Sequence, residues 1–258
     1  MTNFDIAYNY LIEDYAENFP LNFCIDKRTD PDSISEKLYD DILKAFFPKN
    51  YDAEKLEQQF GVKPKFYTIK LNNTTLLSSD YIGPSVYWSR EKGVNDNKIR
   101  GFLKQCHTIG GHIVWERGAD LKYKVNTSRG GSSGVYDRLD WTLLLLKIYL
   151  SDKDKKNFII EANKCIQEEF RNTKNINEKF ENLFNAFNCS EWLKGYSFKD
   201  FCMQFKLYGN FVDSQFNIIE MAPLFPVLPN DYNAYIDNVC KAIDSRKALI
   251  NSGINELL

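Results

Sequence analysis

The stretch CHTIGGHIVWERGADLKYKVNTSRGGSSGVYDRLDWTLLLLKIYL, from Cys106 to Leu150, decides the fold of this chain. It contains two strand-like runs, HIVWER at 112–117 and LKYKVN at 121–126, which predict a β-hairpin. A glycine-rich segment follows at 129–134. The residues from about 135 to 150 are then apolar on almost every face, which predicts a helix at the centre of the protein.

Patterns on both sides of this stretch complete the predicted fold. KFYTIKL at 65–71 and TLLSSD at 75–80 predict another antiparallel hairpin, closed by a tight turn of asparagines. Helical spacing of apolar residues predicts a helix over 95–106. In the second half of the chain it predicts helices at 155–171, 176–187, 198–207 and 231–250.

Together these elements predict an α+β fold. An antiparallel sheet of at least two hairpins, from the N-terminal half, packs against a helical C-terminal half. The chain has 258 residues, which suggests one large domain or two closely packed ones. We therefore expect a single domain over 1–258, sheet-rich in 1–127 and helix-rich in 128–258.

Composition and charge make several kinds of partner and location unlikely for this chain. Lys and Arg total 33 and Asp and Glu total 35, so the net charge of -2 gives no global attraction to nucleic acid or to an anionic membrane. No apolar run approaches the ~18 residues of a membrane span. The six cysteines are scattered, and the acidic N-terminus does not resemble a signal peptide. We expect a cytoplasmic protein without a membrane partner, and its oligomeric state stays open.

The loop after the second predicted hairpin is the first candidate for a functional site. Its glycines allow successive backbone N–H groups to point the same way, and the helix start that follows adds partial positive charge. An arginine adds donors for a phosphate or carboxylate. The ligand-binding residues predicted here are Arg129, Gly130, Gly131, Ser132 and Ser133. The alternative is a flexible turn whose serine caps the helix, since the loop has neither the P-loop nor the GxGxxG pattern.

The motif that follows, Asp137-Arg138-Leu139-Asp140, is the second candidate. Its two aspartates are one helical turn apart and share a side of the helix. Either one can serve as a general base, or can orient an arginine such as Arg129 or Arg117. The alternative is a helix cap with a structural ion pair, because carboxylates are favoured near a helix start by the dipole alone.

Residues of the predicted strands supply the remaining candidates. His112 and Glu116 alternate along one strand, where they can line a cleft as catalytic residues or face solvent. The further ligand-binding candidates are Arg138, Asp80 and Arg117. Two histidines and no paired cysteines disfavour a metal site, and no cofactor is predicted. No serine lies in a GxSxG sequence, which disfavours a serine hydrolase.

Several motifs occur together in a characteristic order: LSSD (77–80), TIGGHIVW (108–115), N-x-x-RG (126–130) and YDRLDWTLLLLKIY (136–149). In this order they resemble an uncharacterised family of bacterial and phage proteins, a domain of unknown function, over about 30–225. The resemblance implies no activity. It groups as motif residues Asp80, Arg129, Asp137, Arg138 and Asp140. The GGSSG sequence departs from the family pattern, in which a longer or bulkier loop is usual.

Two functional hypotheses follow. In the first, the protein is an enzyme or a binding protein for a small phosphorylated or nucleotide-like ligand, which it binds through the Arg129 loop. A nucleotide-modifying toxin or anti-phage effector is one version of this hypothesis. In the second, it is a non-catalytic interaction protein of the inhibitor or immunity type with an aromatic binding patch. The aromatic residues of that patch are Tyr87, Trp88, Trp192, Tyr196, Tyr232 and Tyr235. The alternative is that these residues belong to the core.

Overall fold

The computed structural model of the protein describes residues 68–70, 76–81, 93–106, 109–117, 125, 128, 138–166, 176–190, 193–222 and 229–255. Within these ranges the chain forms three strands and six α-helices. They are β1 (Thr68–Lys70), β2 (Leu76–Tyr81), α1 (Asp96–Cys106), β3 (His112–Arg117), α2 (Leu139–Ser151), α3 (Lys155–Lys164), α4 (Ile176–Asn188), α5 (Phe198–Gln204) and α6 (Pro229–Asn255). Short 3-10 turns lie at Ile109–Gly111 and Leu193–Gly195.

The predicted α+β architecture is wrong, because the described part of the chain is largely helical. The strands are antiparallel in the order β1-β2-β3 and have only 3, 6 and 6 residues. Helix α6 alone has 27 residues. Packing between helices, and not a sheet covered by helices, therefore supplies most of the described core.

The pairing of β3 also differs from the prediction. Its partner is β2, with Ser78 opposite Trp115 and Tyr81 opposite His112, whereas 121–126 was predicted to pair with it. Within 121–126 the structure describes Val125, which is buried and helical. Leu121 and Val125 are four residues apart, so the same residues also fit one face of a helix. An alternation of apolar and polar residues over only six positions therefore does not distinguish a strand from a helix.

Helical spacing correctly located the elements of the second half. The four helices predicted there correspond to α3, α4, α5 and α6. Side chains cap two of them in the expected way: Asp154 accepts a hydrogen bond from the Asn157 N–H at 2.8 Å, and Ser197 forms a capping box with Asp200. Local sequence is sufficient here because periodicity and caps are both local.

Aromatic contacts join the helices to one another and to β3. Trp141 of α2 lies 6.2 Å from Phe180 of α4, measured between ring centroids. Phe158 of α3 contacts α4 through Phe184 at 5.4 Å. Trp115 of β3 stacks on Phe201 of α5 at 5.6 Å. The remaining long helix, α6, packs against α1 and the 109–111 turn.

The contact between α6 and the 109–111 turn requires a glycine. A Cβ at Gly110 would lie 2.3 Å from the carbonyl oxygen of Ile243 and 2.8 Å from the Cβ of Lys247. Arg246, between these two residues on α6, donates a hydrogen bond to the Gly110 carbonyl at 2.8 Å. The absence of a side chain at Gly110 thus allows α6 to approach the 109–111 turn closely enough for this hydrogen bond to form.

The end of α5 has a geometry that normally selects glycine. The Lys206 N–H donates to the Met203 carbonyl at 3.2 Å, and the Leu207 N–H donates to the Cys202 carbonyl at 2.8 Å. These two bonds form a Schellman motif. Lys206 occupies its left-handed position with φ of 54°. A residue with a Cβ is strained there.

Lys206→Gly is expected to raise the free energy of unfolding by about 0.5–1 kcal/mol. Relief of left-handed strain contributes about 1–2 kcal/mol, and the greater freedom of glycine in the unfolded chain removes about 0.5–1 kcal/mol. Urea and thermal unfolding measure the change. The matched control is Lys241→Gly, at an exposed position inside α6, which should lose about 1 kcal/mol. A loss of stability in Lys206→Gly would contradict the assignment.

Candidate functional site

The structure describes the predicted site residues to different extents. Six of them lie outside the described residues: Arg129, Gly130, Gly131, Ser132, Ser133 and Asp137. For three more the structure gives the strand position: Asp80, Glu116 and Arg117. His112, Arg138 and Asp140 are described in full and are all buried.

The strand register separates the candidates on β2 and β3. Asp80 is opposite Ile113, and Arg117 is opposite Leu76. These two positions share one face of the sheet, because directly opposed residues share a face and faces alternate along each strand. The positions of His112 and Glu116 belong to the other face. The sheet therefore does not bring these candidates together on one face.

His112 is fully buried, so it does not face solvent as one alternative had it. Its carbonyl oxygen accepts a hydrogen bond from the Arg246 guanidinium. Neighbouring Val114 and Trp115 are also buried, so both faces of β3 are covered at this point. The described contacts of His112 thus belong to the interior.

Arg138 and Asp140 form a buried ion pair at the start of α2. The Arg138 Nε donates to Asp140 Oδ1 at 3.0 Å, and Nη2 donates to Oδ2. Both residues are 1% exposed. This two-pronged geometry is the strongest arrangement available to an arginine and a carboxylate.

The same pair ties three segments of the chain together. Asp140 also accepts hydrogen bonds from the backbone N–H groups of Trp141 at 2.9 Å and Met221 at 3.0 Å. Arg138 donates to the Ala222 carbonyl at 2.8 Å, and its guanidinium lies 4.7 Å from the ring centroid of Tyr235 on α6. The four hydrogen bonds that Asp140 accepts match the capacity of a carboxylate.

Electrostatics keep Arg138 charged in this interior position. Burial lowers the pKa of Arg138, but the Asp140 carboxylate with its hydrogen bond, and to a smaller extent Tyr235 and Tyr232, raise it more, so the pKa lies above its ordinary value. Burial raises the pKa of Tyr232, against the smaller opposite effect of Arg138, so Tyr232 stays neutral. An uncharged Arg138 does not occur at physiological pH.

This arrangement bears on the predicted anion site at the same helix. The carboxylate of Asp140 accepts the Trp141 N–H in the first turn of α2, where free N–H groups would have to receive an external anion. The geometry at Asp140 is that of a structural ion pair, whereas the N-cap residue of α2, Arg138, has no side-chain capping hydrogen bond. The roles predicted for Asp137 and for the Arg129 loop stay predictions.

Two members of the predicted aromatic patch belong to the core. Tyr232 is 2% exposed and Tyr235 is 1% exposed. Tyr196 is partly buried and packs edge-on against Phe201 at 6.3 Å. Tyr87, Trp88 and Trp192 lie outside the described residues.

An open groove that the sequence did not indicate lies between α2, α3 and the segment 213–222. Its volume is about 510 Å³. The floor is apolar and consists of Leu144, Ile148, Phe158 and Ile218. Exposed carboxylates lie among the other lining residues: Asp152, Glu161 and Glu220. We refer to this feature as the acidic groove.

The residues that α2 contributes to the groove follow from their spacing along this helix. Leu144, Ile148 and Ser151 are four and three residues apart, so they line one face of that helix. Helix α2 is apolar nearly all round, and where α3 and 213–222 stand apart two of its apolar side chains, Leu144 and Ile148, stay partly exposed. The groove is therefore a gap in the packing around an unusually apolar helix.

The opposite wall depends on a strained turn. Phe216 has a φ of 60°, which is rare for a bulky residue and costs about 1–3 kcal/mol. The Asp213 carboxylate accepts from the N–H groups of Asn217 and Gln215, both at 2.8 Å. These bonds, that of Asn217 first, lower the pKa of Asp213. The Phe216 carbonyl accepts from the Lys147 ammonium at 2.9 Å, so both ends of the turn are held.

Packing also holds the Phe216 ring. It lies 5.5 Å from the ring of Tyr208, and the Lys199 ammonium lies 5.6 Å from its centroid. These contacts maintain the left-handed conformation, which in turn places Asn217 and Ile218 on the groove wall. Strain of this kind is concentrated at functional sites in proteins.

Four cysteines whose side chains the structure describes are free thiols: Cys165, Cys189, Cys202 and Cys240. Burial raises the pKa of Cys202 to about 12 and that of Cys240 to about 11. A thiol acts as a nucleophile only as the thiolate, so neither of these two is activated. Among the described residues there is no group of three or more metal-ligating side chains.

Cys202 is expected to react with iodoacetamide on the order of a thousand-fold more slowly in the native protein than in urea at pH 8, from the thiolate fraction alone. Mass spectrometry of the peptide that contains Cys202 measures the rate, with the partly exposed Cys189 as the internal control. Because the folded pKa lies above the 9.0 of a free thiol, the unfolded chain loses this proton first. Stability should therefore decrease as the pH rises above 9. Equal rates in native and unfolded protein would contradict the burial of Cys202.

Fold and site define a largely helical protein with a small antiparallel sheet, a buried arginine–aspartate anchor and an open acidic groove. The chain belongs to the family of unknown function DUF6994, whose model matches residues 14–250. Membership of an uncharacterised family, expected from the motifs, is thus confirmed at that level. Comparison with curated proteins and with solved structures finds no match. In the described part of the chain, no helix has the length and apolarity that crossing a membrane requires.

Proposed function

We propose that this chain is a non-catalytic binding protein that holds part of a partner in the acidic groove. The observation that supports the proposal is the groove itself. It has a volume of about 510 Å³, and apolar side chains that stay partly exposed in the free protein line it. An apolar floor within a charged rim is also the general arrangement of protein interfaces. The cytoplasmic location predicted from the sequence is kept as part of the proposal.

The Arg138–Asp140 pair supports a non-catalytic role. A general base must come within hydrogen-bond reach of the proton it removes. Asp140 is 1% exposed and already accepts four hydrogen bonds. Arg138 is engaged by Asp140, Ala222 and Tyr235. In the proposal these groups hold the fold, and recognition takes place at the groove.

The second candidate is the small phosphorylated or nucleotide-like ligand predicted for the Arg129 loop. The observation that favours it is the anchoring of α2, because the Arg138–Asp140 pair fixes the chain directly after that loop. In this version Asp137, His112 and Glu116 keep their predicted catalytic roles, and Asp80 and Arg117 their ligand-binding roles. The Asp140 carboxylate in the first turn of α2 weighs against it.

Selection from a random peptide library on immobilised wild-type protein tests the first candidate. Selected peptides should bind wild type and Ser252→Trp but not Ser151→Trp, which places an indole in the groove. Both serines are exposed and their hydroxyls donate to a carbonyl in their own helix, so the two variants are matched. Peptides that bind all three proteins alike, or a library that yields no binder, would contradict the proposal.

A thermal-shift panel of nucleotides, sugar phosphates and simple anions tests the second candidate, with wild type and Arg129→Ala. A ligand at a hundred times its dissociation constant stabilises by ~2.7 kcal/mol, a rise of roughly 5–10 °C for a protein of this size. A rise with one ligand class that is lost in a folded Arg129→Ala variant would establish the anion site. If none of these ligands raises the melting temperature, binding of the tested ligands at the Arg129 loop is excluded.

A further inference from the structure

We propose that the occupant of the acidic groove is a segment of a partner protein in which a lysine or arginine lies beside an apolar side chain. The inference rests on the binding function proposed above and adds the chemistry of the partner. It follows from three features of the groove: the charges on its rim, the apolar floor and the open shape.

The rim charges are unbalanced. Among the described residues that line the groove, three carry a carboxylate, Asp152, Glu161 and Glu220, and one carries an ammonium group, Lys147. A further ammonium group, that of Lys164 outside the lining, pairs with Glu161. The Lys147 ammonium donates to the Phe216 carbonyl at 2.9 Å and to Asn217 Oδ1 at 3.4 Å. Its charge is thus held against the 216–217 turn, and an entering cation meets an excess of negative charge.

The three carboxylates are accessible to a partner, because Asp152, Glu161 and Glu220 are all exposed. Hydrogen bonds from the Asn157 side chain, and then from the Asp154 N–H, lower the pKa of Asp152. Glu161 pairs with Lys164 at 2.6 Å, but both side chains are at least half exposed, so the pair contributes little and a cation from a partner can replace it. Glu220 is exposed in the segment that forms the opposite wall.

The apolar floor selects a segment with a hydrophobic side chain next to its charge. Leu144, Ile148 and Ile218 are only partly buried in the free protein, and covering them removes apolar surface from water. Two exposed isoleucines are sequence neighbours of the groove carboxylates. Ile160 is 44% exposed next to Glu161, and Ile219 is 37% exposed next to Glu220.

The open shape favours a polypeptide over a small molecule. Sites for small ligands enclose about 70–90% of the ligand surface, which an open groove does not do. A polypeptide gains its affinity along its length, through contacts with both the apolar floor and the carboxylates. The acidic rim repels phosphate groups, so nucleic acid and anionic membranes do not fit.

The composition of the peptides selected on wild type tests the inference. Groove-binding peptides, defined by their loss of binding to Ser151→Trp, should be enriched in lysine or arginine beside an apolar residue. Glu220→Lys should weaken their binding about ten-fold or more, and Glu220→Gln about two- to five-fold. Glu178→Lys makes the same charge change at an exposed position of α4 outside the groove and should leave binding unchanged. Higher salt should weaken binding to wild type.

The outcomes separate this inference from the binding function. Groove-binding peptides without basic residues, or with unchanged affinity for Glu220→Lys, would overturn the cationic partner and leave the binding function standing. Peptides unaffected by Ser151→Trp would overturn both. Lysine amide serves as a small cationic probe, and if it bound as tightly as the peptides the occupant would be a small amine and not a protein segment.

Discussion

Replacing Asp140 with asparagine is expected to lower the free energy of unfolding by about 3–5 kcal/mol, because it leaves a buried cation without its counter-charge. The new amide also places an N–H donor against either the Arg138 guanidinium or the backbone N–H groups of Trp141 and Met221. At least one of these buried donors loses its acceptor, which costs about 1–3 kcal/mol.

Urea unfolding of Asp140→Asn measures this loss. A double-mutant cycle with Arg138→Met and Asp140→Leu isolates the pair, and we expect the double variant to be less destabilised than the two single changes added together. Asp244→Asn makes the same chemical change at an exposed position of α6 and should stay within about 0.5 kcal/mol of wild type. A loss below about 1 kcal/mol in Asp140→Asn would mean that the pair is not an anchor of the fold.

Replacing Arg246 with methionine is expected to destabilise the protein by on the order of 3 kcal/mol. Arg246 is fully buried on α6 and donates to the carbonyls of Phe205 at 2.9 Å, Gly110 at 2.8 Å and His112. It thereby joins α6 to the end of α5 and to the turn before β3. Each carbonyl that loses its donor costs about 1–3 kcal/mol, and removal of a buried charge offsets part of this.

The charge on Arg246 survives burial at neutral pH. Burial lowers the pKa of Arg246 to about 9, which still leaves the guanidinium protonated at pH 7. Arg246→Lys keeps a cation but loses the planar guanidinium with its several donors. Its free energy of unfolding should therefore lie between those of wild type and Arg246→Met. Lys241→Met, at an exposed position of the same helix, is the control and should change stability by less than about 0.5 kcal/mol. Equal effects of Arg246→Met and Lys241→Met in urea unfolding would contradict the structural role.

The helices and the antiparallel pairing of β1 with β2 could be predicted from the sequence, but the strand partner of β3 could not. Apolar spacing and caps define α1 and α3 to α6, since both are local properties. The strand partner of β3 is a long-range choice. Residues 121–126 alternate as a strand does, yet Val125 is helical and β3 pairs with β2. The predicted sheet-on-helix architecture is wrong because the described part of the chain is largely helical.

The site was less predictable than the fold. The sequence singled out the motif that contains Arg138 and Asp140, but burial decides what such a pair does, and burial is not visible in a sequence. The acidic groove combines α2 and α3 with residues 217–220, far apart in the chain. No local sequence pattern predicts a gap between packed elements. The apolar run of α2 indicated only that all faces of this helix should be buried.

Hydrogen–deuterium exchange with and without a selected peptide tests most directly the claim that recognition takes place at the acidic groove. We expect slower exchange in 144–161 and 213–222 on binding, and no change in either segment when the peptide is added to Ser151→Trp. Slower exchange centred on 129–138, with the groove segments unchanged, would rule out recognition at the groove and return the site to the Arg129 loop.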